Sequence, residues 1–206
     1  LMLELWIIGT ARHYGSGVDD MLLYFGTSLL LGGLYLFMPS GSQPLDYACL
    51  TLPFLVVGSI RYLDRLMAAA AFGYALMILI LLLMKSPKLA LLVMPFAGML
   101  FAGGVYFWVQ QGQSRYTWRH WHSALAVLEL LALVLFYVSG NYWMVQNAGF
   151  EWFQLEQPPM AWFFWIFTFA VPLAYLYFGL RRKDRLMLDV GIACVAMAVF
   201  TYRAYF

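Results

Sequence analysis

Apolar side chains along this chain come in long blocks, with short polar breaks between them. Seven blocks stand out, at residues 21–37, 45–60, 66–84, 89–109, 123–145, 161–180 and 186–202. A helix needs roughly 18 or more apolar residues to cross a hydrocarbon core of about 30 Å. A helix that is apolar on every side has no face to give to water. The pattern therefore predicts an all-α fold: an integral membrane bundle of seven transmembrane helices forming one domain over residues 1–206. The apolar residues 1–8, around Glu4, are expected to be part of an extra helix or a short interfacial one, and further chain is expected after Phe206. No cleavable leader is visible, because residues 1–8 lack a basic start and a small-residue cleavage site.

The breaks refine the picture. Met38-Pro39-Ser40-Gly41-Ser42-Gln43-Pro44 is an uncharged breaker cluster. Ser16 and Asp19 have capping-box spacing ahead of the first block. The second block is short and carries Asp46, Thr51 and Pro53, which predicts a tilt, a kink at Pro53 or local thinning of the bilayer. In the fourth block, Gly98 and Ala102 form a small-x-x-x-small face suited to close helix packing. Residues 110–122 read as a basic, aromatic loop at the interface, and residues 146–159 as a turn with only acidic charge.

Composition agrees with the block pattern. Hydrophobic residues make up 64% of the chain and charged residues only 11%, at a mean hydropathy of +0.77. A soluble domain is about 25% charged. Net charge is +2, and the basic residues sit in short turns, so they read as topology signals and not as a nucleic-acid surface. Of the twelve Lys and Arg residues, nine fall on one side of the alternating topology: Arg12, Arg61, Arg65, Arg115, Arg119, Arg181, Arg182, Lys183 and Arg185. The positive-inside rule places that side in the cytoplasm. Arg-x-x-Asp-Arg-Leu-Met occurs twice, from Arg61 and from Arg181, on equivalent turns. It reads either as a parallel repeat or as a turn whose Asp caps the next helix.

Chemistry is sparse. An ionisable group at membrane depth is a functional hypothesis by default, and Glu129 lies about two turns inside the fifth helix. His122 and Tyr137 fall on nearly the same face, seven residues before it and eight after it. The three form a candidate polar site able to relay protons or hold a cation; the structural alternative is a buried Glu bonded to a neighbouring helix. Arg185 and Asp189 form a candidate gate or an i,i+4 ion pair, and Asp46 is a further gate for a carrier. His120 and His122 diverge if helical, so no metal site is assigned. Trp162, Phe163, Phe164, Trp165 and Phe167 could contact lipid, quinone or pigment, or form an interfacial belt. Cys49 and Cys194 lie in apolar runs without metal or redox spacing. No phosphate loop, zinc or nucleophile motif is present.

The Arg-x-x-Asp-Arg-Leu turn followed by Thr201-Tyr202-Arg203-Ala204-Tyr205-Phe206 resembles the C-terminal half of uncharacterised multi-pass membrane proteins found widely in bacteria. The resemblance covers residues 177–206. It implies a bacterial cytoplasmic-membrane setting and no activity. The expected function is an accessory or structural subunit of a membrane assembly, in contact with lipids and other subunits. The alternatives are a small proton-coupled carrier using Glu129 and a lipid-modifying enzyme using His120 and His122.

Overall fold

Several helices of the bundle start or stop where the sequence supplies a cap or a breaker. The computed structural model describes residues 18–39, 41–113, 122–153 and 158–205, and every regular element among them is helical. The helices are α1 (Val18–Phe37), α2 (Pro44–Tyr62), α3 (Arg65–Met84), α4 (Pro87–Gln113), α5 (His122–Gly140), α6 (Tyr142–Phe153), α7 (Ala161–Arg182) and α8 (Arg185–Tyr205). Pro44 opens α2, where a missing N–H costs nothing, and the Asp46 carboxylate accepts the Gln43 backbone N–H at 2.9 Å.

The two copies of Arg-x-x-Asp-Arg-Leu-Met fold the same way. Leu63 and Lys183 end their helices in the left-handed region, at φ 53° and 56°. The following Asp64 and Asp184 accept the backbone N–H of Met67 and Met187, at 2.7 and 3.2 Å. Both methionines are buried. Local capping accounts for the shared motif without a wider repeat.

Antiparallel hairpins α2/α3, α4/α5 and α7/α8 are the main packing units, and α5 runs through the middle, touching α3, α4, α6, α7 and α8. Gly98 and Ala102 are buried, and a Cβ on Gly98 would collide with the Ser139 hydroxyl, so the small face of α4 is where α5 comes closest. Helix α1 lies outside, against α2: Tyr24 donates to Asp64 at 2.7 Å near one end, and Tyr35 packs on Tyr47 near the other. Phe72 of α3 meets Phe101 of α4, and Arg182 reaches Tyr106. These contacts bring the α2–α3 turn, the end of α4 and the α7–α8 turn to the same end of the bundle.

Five described helices are long and apolar enough to cross a membrane: α3, α4 over Leu92–Gln113, α5, α7 and α8. The apolar stretch described for α1, Leu23–Phe37, is shorter, and α2 is not among the five. Their apolar side chains face outward, as Leu100, Ile166, Leu173 and Val199 do, which is the outer surface a membrane bundle needs.

Three sequence-based boundaries change. The run 123–145 is not one helix, because it breaks between Gly140 and Tyr142. There Asn141 turns its side-chain oxygen onto the N–H groups of Trp143 and Met144, at 3.0 and 3.3 Å, and so begins a new helix. Of the region read as a turn over 146–159, residues 146–153 are the rest of that helix, α6. Helix α4 continues past residue 109 to Gln113. The extra helix expected over residues 1–8, the Ser16 cap, and His13, Arg115, Arg119 and His120 lie outside the described residues.

Candidate functional site

Glu129 is 5% exposed, on the central helix α5. It lies seven residues after His122, so about 10 Å along the axis from the start of the helix. Both of its oxygens are taken. Gln110 Nε2 donates to Oε1 at 2.7 Å and Gln113 Nε2 donates to Oε2 at 2.8 Å. Tyr106, Gln110 and Gln113 are spaced by four and three residues, which sets them on one face of α4, turned toward α5. A single buried carboxyl thus joins the last two turns of α4 to the second turn of α5.

Other polar groups gather at this end. His122 is exposed at the first turn of α5, and both it and Asp184 lie within electrostatic reach of the Glu129 carboxyl. Arg182 Nη1 approaches the Tyr106 hydroxyl at 3.4 Å, and its guanidinium lies 5.8 Å from the centre of the Phe178 ring. Tyr106 in turn feels Glu129, Asp184 and Arg182. The arrangement is a polar vestibule: a buried acid, two amides, a phenol and an imidazole. The carboxylate that caps α8 completes it.

Tyr137 belongs to a different network. Its hydroxyl accepts from Asn141 Nδ2 at 2.9 Å, and the same amide lies 3.3 Å from Thr201 Oγ1 on α8. Tyr142 N–H donates to Thr168 Oγ1 on α7 at 2.9 Å. Thr168 and Thr201 donate to Phe164 O and Met197 O, at 2.8 and 2.9 Å. Asn141, Thr168 and Thr201 are fully buried. Thr168 is seven residues inside α7, about 10 Å along its axis, so the break falls at membrane depth. Irregular backbone at that depth must find its partners within the protein, and this network supplies them.

The predicted His-Glu-Tyr stripe is therefore divided. Glu129 and His122 share the vestibule, whereas Tyr137, about 12 Å further along α5, braces the helix break. Arg185 and Asp189 are both exposed on α8, and no ion pair joins them among the described residues. Asp46 is an exposed helix cap. The aromatic run of α7 splits by face: Trp162 is 65% exposed, while Phe163, Phe164 and Phe167 pack inward with Phe96 and Phe136. Cys49 and Cys194 are free thiols. Among the described residues no three metal-ligating side chains come together.

Sequence reasoning missed Gln110, Gln113, Asn141, Thr168 and Thr201. For the first two the signal was present, since Tyr106, Gln110 and Gln113 repeat at helical spacing. Ser139-Gly140-Asn141 is likewise a break followed by a capping residue.

A second feature lies at the other end of the bundle. An apolar cavity of about 270 Å³ opens between α3, α4, α5 and α6, lined by Leu79, Met94, Gly98, Leu135, Ala148 and Trp152 among others. Comparison with family models, curated proteins and solved structures finds no match to this chain.

Proposed function

We propose that the protein is a small proton-coupled carrier of the bacterial cytoplasmic membrane, with Glu129 as the group that takes up and releases the proton. In this reading α1 and α2 also span the bilayer, giving seven crossings, with the broken α5–α6 segment counted once. The Arg-rich turns at Arg61–Arg65, Arg115–Arg119 and Arg181–Arg185 face the cytoplasm, in keeping with their excess of basic residues.

The observation that carries the reading is the choice of partners for Glu129. A buried acid held by Lys or Arg is locked in its charged form. Among the described residues both of its hydrogen-bond partners are glutamines, and a glutamine amide both donates and accepts. Ionised, the carboxyl accepts from both amides. Protonated, it becomes a donor at one oxygen, and a half-turn of the facing amide presents a carbonyl to receive it. The α4–α5 contact survives in both states, which a working proton site requires and a static cross-link does not. His122 and Asp184 give the site a route to the cytoplasmic surface.

Protonation of Glu129 is directly observable. Infrared difference spectra of the reconstituted protein between acidic and alkaline buffer are expected to contain a carboxylic acid band that is absent from Glu129→Gln. A difference spectrum unchanged by that substitution would overturn the assignment.

A second reading, an accessory subunit of a larger membrane assembly, is supported by α1. That helix is held mainly by α2 and presents Met21, Phe25, Leu29 and Leu36 outward along its length. It predicts a defined complex in mild detergent that dissociates when those four positions are changed to smaller residues. Migration as a lone chain would count against it.

A further inference from the structure

The cavity at the end opposite the vestibule has the position and lining of a lipid site. Leu76, at its inner limit, is eleven residues from Arg65, about 16 Å along α3, and Leu83, at its outer limit, is eighteen residues from Arg65, about 27 Å. Set in a hydrocarbon core of about 30 Å, the cavity extends from near the midplane to the interface opposite the Arg-rich turns. That is the depth of one leaflet. Trp152, Pro158 and Pro159 line its outer mouth, where an indole suits the headgroup level.

Among the described residues no charged side chain lines it, and Ser139 brings a hydroxyl. Its volume of about 270 Å³ is nearly twice that of an apolar cavity of about 150 Å³ that takes up benzene. The helix break at Asn141 helps shape the space, because it starts α6 anew and brings Met144, Ala148 and Gly149 to the cavity wall. Small residues make that wall: Gly98 and Ala90 on α4, Ala148 and Gly149 on α6.

We infer that this cavity binds one acyl chain of a phospholipid from the leaflet opposite the Arg-rich turns, with the headgroup held at Trp152. The site is separate from Glu129 and does not depend on its role. Bound lipid would brace α6 against α3 and α4 and so support the broken helix from its outer side.

The test uses the full chain in phosphatidylcholine vesicles containing a small fraction of phosphatidylcholine with a photoactivatable diazirine in mid-chain. Labelled peptides are mapped by mass spectrometry. Met94 and Leu135 on the cavity wall are expected to label, alongside Leu100, which is 78% exposed and faces bulk lipid. Gly149→Leu places a side chain in the cavity where a Cβ meets no atom within 4 Å. It should cut labelling at Met94 and Leu135 by about tenfold, since filled volume excludes the chain, and leave Leu100 unchanged. Ala148→Leu, on the same wall, should do the same and serves if the first variant folds poorly. Labelling of Met94 and Leu135 that is absent, or that persists in both variants, overturns the site. Displacement of the label by an isoprenoid alcohol at a lower mole fraction than unlabelled phospholipid overturns the acyl-chain assignment.

Discussion

Gln113 and Glu129 meet across 2.8 Å, the amide nitrogen of one on a carboxylate oxygen of the other. The contact fastens the last turn of α4 to the central helix. Gln113→Ala leaves half of a buried carboxyl unpartnered, and losing a hydrogen bond to a charged group costs about 1.5–3 kcal/mol. A lower melting temperature in detergent is the expected result. Glu129→Gln, by contrast, keeps an amide-to-amide pairing and should melt close to the wild type. If the two variants melted alike, the bidentate clamp would not be holding the helices.

Asn141 serves three helices. It caps α6 through Trp143 and Met144, and its amide donates to Tyr137 and lies 3.3 Å from Thr201 Oγ1. Asn141→Leu removes the cap and the cross-links together and strands N–H groups in apolar surroundings. A lost cap costs about 1 kcal/mol and an unsatisfied buried donor about 1–3 kcal/mol more, so this variant should lose about 2–4 kcal/mol. Thr201→Val, which removes one partner only, should lose less. Chemical denaturation of both variants in the same micelles measures the order.

Glycines on the two faces of α4 and α5 should respond in opposite ways. A Cβ on Gly140 would strike the Phe167 ring and the end of Met99, while one on Gly103 meets nothing within 4 Å. Gly140→Ala is expected to cost about 1–3 kcal/mol through overpacking. Gly103→Ala should be neutral or stabilising by up to about 1 kcal/mol, the gain in helix propensity. Thermal melts of the pair decide it, and equal effects would contradict the packing described.

Asp64 and Asp184 cap their helices in the same way, and each cap is worth about 1 kcal/mol. Alanine at either position should lower stability by about that much. Asp64→Ala should cost somewhat more, because Tyr24 also loses its partner. The double variant should show additive losses, since among the described residues the turns share no side-chain partner. Non-additivity in equilibrium unfolding would mean that the hairpins are coupled.

Block hydropathy made the helices legible because lipid-facing surface must be apolar throughout, and the signal persists however the helices pack. Helix ends at Asp64, Asp184 and Pro44 were also legible, since capping acts within a few residues. What the sequence hid were facts about neighbours. Asn141 looked like a polar residue near the end of a long span, because the Thr201 beside its amide and the Thr168 that accepts the N–H of Tyr142 arrive from elsewhere in the chain. Glu129 was visible as a buried acid from its position alone. Its partners were overlooked, because Gln110 and Gln113 read as loop once the apolar run of α4 stopped, although their spacing with Tyr106 is helical. Tyr137 shared a face with Glu129, as the helical period requires, yet its hydroxyl turned to the break and not to the acid.

Proton uptake by Glu129 is the claim on which the functional reading stands, and counting bound protons tests it most directly, because a coupled carrier takes up its proton whether or not cargo is present. Titrated between alkaline and acidic buffer, the purified wild type should bind one proton more than Glu129→Gln, which is expected to fold equally well. Equal proton counts for the two proteins would contradict it.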